Sequence, residues 1–261
     1  MRVLVYGNSH VLAWREAWAG MAAEVPGVEM TFFSLPEKIR QRYRVRAKGV
    51  FAPRRIVTPD ELARVAAMND GQTSCALGAA DVAVFVGALW YPERAMGFAA
   101  LGDPPDARGP SGERMAFGPG FVQAALDEIC AAALGEWQIS AGRARRPIVF
   151  GRPVYATTCL RASHRLYAPW AAAAAYPKAA AWFAQAHRDR LVAHAAAQGI
   201  DFMAPPAEVH GDLGLTRAEF LAEGGGIVDP VNPALRGDHS HMNAAYGQAC
   251  IRQFLVGLAA G

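Results

Sequence analysis

The chain has 261 residues, 52% of them apolar and 19% charged, so it can bury a sizeable core, and wholesale disorder is excluded. Its 26 Lys and Arg against 23 Asp and Glu leave a net charge of +3, which gives no global reason to expect a nucleic-acid partner. Its four cysteines (Cys75, Cys130, Cys159, Cys250) are far apart and form no C-x-x-C pair, which excludes a zinc ribbon or a thioredoxin-type motif.

Residues 2–6 form a short β-branched and apolar run that stops at Gly7-Asn8-Ser9-His10, too early for a secretory signal, which needs roughly 7–15 apolar residues. Val11, Leu12, Trp14, Ala17 and Trp18 then recur at near-helical spacing, so the opening reads as strand, tight turn, helix. Gly7 suits the turn, and Asn8 or Ser9 can cap the helix. A second strand is expected over 28–33. Residues 38–55 follow with eight basic side chains and no acidic one: Lys38, Arg40, Arg42, Arg44, Arg46, Lys48, Arg54 and Arg55. The alternation from Arg42 to Arg46 places the arginines on one face of an extended segment. A solvated edge accounts for that face; recognition of an anionic partner, such as an acidic glycan or a phosphorylated acyl carrier, is the functional alternative.

A helix is expected over 59–68, and the nearly continuous apolar run 81–87 suits a strand covered on both faces. Residues 102–120, rich in Gly and Pro, read as a surface loop or lid. Further elements are a helix over 120–137, a strand at 147–151, a helix over 177–198 opened by Pro177 and closed by Gly199, and a strand at 200–203. The segment 204–237 is irregular, with Pro205-Pro206 and a glycine triplet at 224–226, and a last helix spans about 242–258. Strands alternating with helices throughout indicate one α/β domain, 1–261, with a mainly parallel sheet. The Ala-rich stretch 171–186 is cut by Pro177 and Lys178, so no run of about 18 apolar residues exists, and a soluble, cytoplasmic protein without a membrane span is expected.

Open parallel sheets place ligands at the carboxyl ends of their strands, which is where Ser9 falls. A helix N-terminus beneath it offers N–H groups and partial positive charge to a developing oxyanion. Serine attacks only when a base takes its proton. Gly237-Asp238-His239-Ser240-His241-Met242-Asn243 supplies candidates: Asp238 and His241, three residues apart, can pair at a turn entering a helix, with the second ring nitrogen facing Ser9. His239 competes with His241 for the base and Asp229 with Asp238, and spacing alone does not decide. Turn-and-cap chemistry at Ser9, an ordinary helix start at Asp238, and a zinc site made from Asp238, His239 and His241 are the competing readings. His10 reads as a first-turn helix residue, and His164, His187, His194 and His210 as structural or surface groups.

These two blocks resemble the SGNH (GDSL-type) hydrolases. Gly7-Asn8-Ser9 matches the family's Gly-Asp-Ser after the first strand, with Asn in place of Asp. Asp238 through His241 matches its Asp-x-x-His before the final helix, and Met242 through Gly247 looks like the usual continuation. The resemblance implies a three-layer α/β/α sandwich with a mainly parallel, flavodoxin-like sheet of about five strands. It implies an esterase in which Ser9 attacks, His241 serves as base and Asp238 orients it. The expected substrate is a small-molecule or glycan acyl ester, with O-acyl groups on a carbohydrate foremost, and no metal or redox cofactor is required. An O-acyltransferase using the same trio and a non-catalytic carbohydrate- or anion-binding protein are the alternatives. The middle blocks depart from the family. Gly49 is the nearest counterpart of its oxyanion-hole glycine, and Gly87-Ala88-Leu89 places Leu where the family has an Asn donor. Arg152, just after the fourth strand, is a candidate to bind an anionic group or the oxyanion, or else to form a salt bridge at the rim. Trp90 and Tyr91 are candidates for a pocket wall or for core.

Overall fold

In the computed structural model, which describes residues 1–46, 49–54, 56–105, 114–141, 147–223 and 237–259, five strands make an all-parallel central sheet. In chain order the strands are β1 (Arg2–Gly7), β2 (Glu29–Ser34), β3 (Tyr43–Val45), β4 (Val50–Pro53), β5 (Cys75–Ala76), β6 (Val82–Ala88), β7 (Gly102–Asp103), β8 (Met115–Ala116), β9 (Ile148–Gly151) and β10 (Asp201–Met203). The helices are α1 (Val11–Met21), α2 (Glu37–Arg40), α3 (Pro59–Met68), α4 (Pro92–Leu101), α5 (Pro119–Ala141), α6 (Ala168–Ala173), α7 (Pro177–Ala197) and α8 (Ala244–Ala259). The central sheet runs β2-β1-β6-β9-β10. Numbered among themselves, these five strands have the flavodoxin-like order 2-1-3-4-5, whose switch point lies between β1 and β6.

Side-chain alternation along the strands feeds two cores. Val3, Val5, Val84, Val86, Ile148 and Phe150 face α1 and α8, while Leu4, Tyr6, Phe85, Val149 and Phe202 face α3 to α7. With both faces covered, the strands read as continuous apolar runs. On the first face Trp14 of α1 meets Phe150 at 5.0 Å and Phe254 of α8 at 5.8 Å, both edge-on. The two helices touch backbone to backbone at Gly247, where a Cβ would lie 2.1 Å from the Ala13 carbonyl oxygen. This contact draws the two ends of the chain together.

The five main strands and the helices α3, α5, α7 and α8 fall within a few residues of the sequence expectation. The sequence reading passes over α4, a short helix opened by Pro92 with three residues between it and the end of β6, and over α6. It also misses the antiparallel sheet β3-β4-β5, whose Phe51 packs edge-on against Tyr6 at 5.3 Å. In β3, Tyr43 is buried and Arg44 exposed, as the alternation requires. The basic segment is not uniformly solvated, however. Arg40 is 5% exposed and bonds Glu37 and Glu136, and Arg42 pairs with Glu61 at 2.6 Å. Lys48 and Arg55 lie outside the described residues.

Around the expected loop at 102–120, β7 and β8 pair in parallel and Arg114 bonds Asp103 at 2.9 Å; residues 106–113 are outside the described set. The irregular segment contains three short 3₁₀ turns, Ala207–Val209, Asp212–Gly214 and Ala218–Phe220, and its residues 224–236, including Asp229 and the glycine triplet, are likewise outside. Among the described residues no helix is long and apolar enough to cross a membrane.

Gly247→Ala places a methyl group against backbone that cannot swing aside. A stability loss of about 1–3 kcal/mol is expected, measured as a lower urea midpoint at unchanged slope.

Candidate active site

β1 ends at Gly7, and the chain turns through Asn8 and Ser9 into α1, with Val11 N–H donating to the Asn8 carbonyl and Leu12 N–H to that of Ser9. Asn8, 4% exposed, organises the turn. Its Oδ1 accepts the His10 N–H at 3.2 Å, and its Nδ2 donates to the Gly87 carbonyl at 3.0 Å and to Glu37 Oε2 at 2.8 Å. A carboxylate at position 8 could donate to neither acceptor and would repel Glu37, so an amide suits this site. The Ser9 hydroxyl takes no part in capping. It lies 2.7 Å from His241 Nε2.

The opposite end of the chain delivers that imidazole. The His239 carbonyl accepts the Ala156 N–H at 2.8 Å, and the His241 carbonyl accepts the Ala222 N–H at 3.0 Å, which fixes the segment from both sides. Asn243 then opens α8, its Oδ1 accepting the Tyr246 N–H as an N-cap. Asp238 Oδ2 lies 2.6 Å from His241 Nδ1, while Oδ1 accepts the backbone N–H groups of Ser240 and His241 at 3.0 and 3.1 Å. Partial burial raises the Asp238 pKa, but these donors outweigh it and hold the carboxyl down at about 2. An ionised carboxylate only accepts, so Nδ1 carries the imidazole hydrogen and Nε2 presents its lone pair to the Ser9 hydroxyl.

The structure thus brings Ser9, His241 and Asp238 together and separates the two competing histidines. His239 is 1% exposed, with Nδ1 2.8 Å from Thr158 Oγ1 and its ring edge-on to Tyr167. Asp229 lies outside the described residues. Among the described residues no group of three His, Cys, Asp or Glu is placed to hold a metal ion.

Two of the expected oxyanion residues have other roles. Gly49, at φ +68°, is the turn glycine of the β3-β4 hairpin and donates its N–H to the Arg46 carbonyl at 3.1 Å. It sits against Gly78, ahead of β6 and so toward the amino end of the sheet, away from Ser9. Any glycine in that basic stretch fits the sequence pattern, and only the hairpin shows its job. Gly87, at φ +89°, serves Asn8: a Cβ there would lie 2.0 Å from Asn8 Oδ1. Leu89 brings a hydrocarbon side chain with no donor, and its carbonyl accepts the Trp137 indole N–H at 2.7 Å. Among the described residues the Ser9 N–H has no protein acceptor and remains available. Trp90 is core, 3% exposed, stacked on His187 and donating to the Arg152 carbonyl.

Two features near the trio escape sequence reasoning. Glu37, which holds Asn8, also binds Arg40, and Arg40 donates to Glu136, which accepts the Tyr91 hydroxyl at 3.0 Å. Burial pulls the Arg40 pKa down, but the Glu37 and Glu136 carboxylates outweigh it and leave it raised. The chain Asn8–Glu37–Arg40–Glu136–Tyr91 ties the nucleophile turn to α5 and to Tyr91, whose left-handed backbone (φ 57°) needs such anchoring. The second feature is His10, whose ring centroid lies 5.4 Å from that of His241. Lost hydration, then the charges of His241 and Arg152, bring its pKa down to about 3, with Asp238 acting the other way, so it is neutral near pH 7.

Comparison with protein-family models, with curated proteins and with solved structures finds no match for this chain.

Asn8→Asp sets a carboxylate against Glu37 and the Gly87 carbonyl. It is expected to cost about 1–3 kcal/mol at neutral pH, with the deficit shrinking as acid protonates the pair, measured by urea unfolding across pH. His10 at about 3, and His187 and His210 each at about 4 because burial and then Arg188 disfavour their charged forms, stay neutral in the fold at pH values where an unfolded histidine, with its pKa near 6.5, is protonated. The unfolded chain therefore binds more protons between about pH 6.5 and 4, and stability falls as pH drops through that window. Unfolding at about pH 5.5 is expected to take up between two and three protons on these groups, and His10→Gln to remove nearly one of them, measured from the pH slope of the unfolding free energy.

Proposed function

We propose that this chain is a serine esterase of the SGNH (GDSL) type that cleaves acyl esters. One observation carries the reading: residues 229 or more positions apart in sequence form a continuous relay, Ser9 Oγ to His241 Nε2 at 2.7 Å and His241 Nδ1 to Asp238 Oδ2 at 2.6 Å. The sequence places Ser9 in a strand-to-helix turn and Asp238 and His241 ahead of the last helix, and this geometry is what proton transfer from serine to histidine needs.

In the proposed reaction Ser9 Oγ attacks the ester carbonyl as His241 Nε2 takes its proton. Asp238, ionised and hydrogen-bonded, steadies the imidazolium that forms. The Ser9 N–H, at the N-terminal end of α1, faces the developing oxyanion, helped by the positive end of the helix dipole. His241 then returns its proton to the leaving alkoxide, and a water activated by the same nitrogen releases the acyl group. Without a side-chain donor at Leu89, this oxyanion hole lacks a contribution of the kind that typically accounts for about 10²–10³ in rate, so modest turnover is expected.

Delivery of the acyl group to a sugar hydroxyl would use the same residues but requires water to be kept away. The side chains of His241 and Asp238 are 44% and 47% exposed, which favours hydrolysis over transfer.

A fluorophosphonate probe is expected to label the protein at Ser9, with no label on Ser9→Ala and strongly slowed labelling on His241→Ala. Asp238→Asn is expected to lower kcat on an aryl acetate by roughly 10³–10⁴. Absence of labelling in a folded sample would favour a non-catalytic binding protein, and labelling that survives in His241→Ala at the wild-type rate would remove the histidine from the mechanism.

A further inference from the structure

Arg152 follows β9 at the carboxyl edge of the sheet. Its N–H donates to the Ala88 carbonyl at 2.9 Å, and Gly151 pairs with Ala88 of β6 while Gly7 pairs with Val86. Ser9 and Arg152 therefore leave the sheet at nearly the same level, two strands apart, or about 10 Å between backbones at ordinary strand spacing. An arginine side chain is long enough to bridge most of that gap. The Arg152 guanidinium donates to the Tyr155 hydroxyl at 3.2 Å and lies 5.4 Å from the Tyr155 ring centroid. Tyr155 is itself fixed edge-on against Tyr167 at 4.9 Å and Trp170 at 5.4 Å, so the guanidinium is held in place before any ligand arrives.

Arg152 has no counter-ion among the described residues, a lack it shares with Arg15 of α1 and Arg188 of α7 and combines, unlike them, with a place at the carboxyl end of a sheet strand. Arg40, Arg114 and Arg190, also withdrawn from water, each end on a carboxylate: Glu37 and Glu136, Asp103, and Asp127. Arg152, half-buried, has no carboxylate partner among the described residues. Asp238 is the acidic group of the trio, and both its oxygens are engaged by His241 and Ser240. The other titratable neighbour, His10, is kept neutral, in part by Arg152 itself. A fixed cation with no carboxylate partner among the described residues, at the same edge of the sheet as a nucleophile that opens a helix, makes a site that favours negative charge.

Resting on the esterase reading above, we propose that Arg152 is an anion subsite that selects acyl esters bearing a carboxylate, sulfate or phosphate group close to the ester bond.

The test compares wild type with Arg152→Met, which keeps the aliphatic stem, and with Tyr155→Phe, which keeps the ring packing and removes the hydroxyl that positions the guanidinium. Two substrate pairs separate the possible positions of the anion: para-nitrophenyl butyrate against para-nitrophenyl hemisuccinate for the acyl side, and naphthyl acetate against its ring-sulfonated form for the alcohol side. In at least one pair the ratio of kcat/KM for the anionic ester over the neutral one is expected to fall about tenfold or more in Arg152→Met, mainly through KM, and by less in Tyr155→Phe. A ratio unchanged in both pairs, or an equal fall on charged and neutral esters, would overturn the proposal. The second of these outcomes would move Arg152 to the oxyanion or to structural support. Calorimetric titration of Ser9→Ala protein with monomethyl succinate and with naphthalenesulfonate gives a readout independent of turnover. Binding of either anion that Arg152→Met weakens by a similar factor supports the subsite even if wild type hydrolyses nothing, in which case the esterase reading alone fails. No binding of either anion, or binding indifferent to Arg152, would sink it.

Discussion

The contact between α1 and α8 is the constraint on which the site depends. Both helices lie on one face of the parallel sheet, and at Gly247 the approach is so close that no side chain fits between it and the Ala13 carbonyl. α1 begins just after Ser9 and α8 just after His241, so packing the two helices together is also what brings the nucleophile turn and the imidazole to one place. The apolar contacts of Trp14 with Phe150 and Phe254 stabilise that arrangement through burial, a non-directional effect. The hydrogen bonds at Ser9, His241 and Asp238 then supply the direction.

Around this frame the polar groups divide into those that are spent and those that are available. Asn8, Glu37, Arg40, Glu136 and Tyr91 satisfy one another and hold the turn rigid. The two buried members, Asn8 and Arg40, must be paired, because an unpaired buried group bears its full desolvation penalty, while Glu37, Glu136 and Tyr91 are partly open to water. The Ser9 hydroxyl, by contrast, caps nothing, because the Val11 and Leu12 N–H groups go to the Asn8 and Ser9 carbonyls, and it is left to His241. The same separation sets His241, on Ser9, apart from His239, which is consumed by Thr158 and Tyr167.

The alternating fold was legible because a doubly covered parallel strand must be apolar on both faces, and Val82–Ala88 is the plainest case. Ser9, Asp238 and His241 were legible because each sits in a local pattern: a strand ending in Gly-x-Ser, and an Asp-x-x-His before a helix. Helix α4 escaped notice because it follows β6 with scarcely a loop between them and contains Gly97, which blurs its period. Gly49 was misplaced because a glycine's use depends on what lies across from it, here a hairpin. The network through Arg40 could not have been read at all, since its links join residues as far as 96 positions apart and no short spacing encodes them.

The amino-acid order alone therefore determined the local periodicities: where strands and helices fall, that they alternate, and which few side chains stand at turns suited to chemistry. Only the tertiary structure decided which histidine meets the serine, that Gly49 serves a hairpin instead of the site, and that Arg152 has no carboxylate partner among the described residues. The physical reason is that a side chain's direction and its partners are set by backbone hydrogen bonds and packing between distant segments, such as Ala156 to His239 and α1 to α8, whereas periodicity registers only a residue's immediate neighbours.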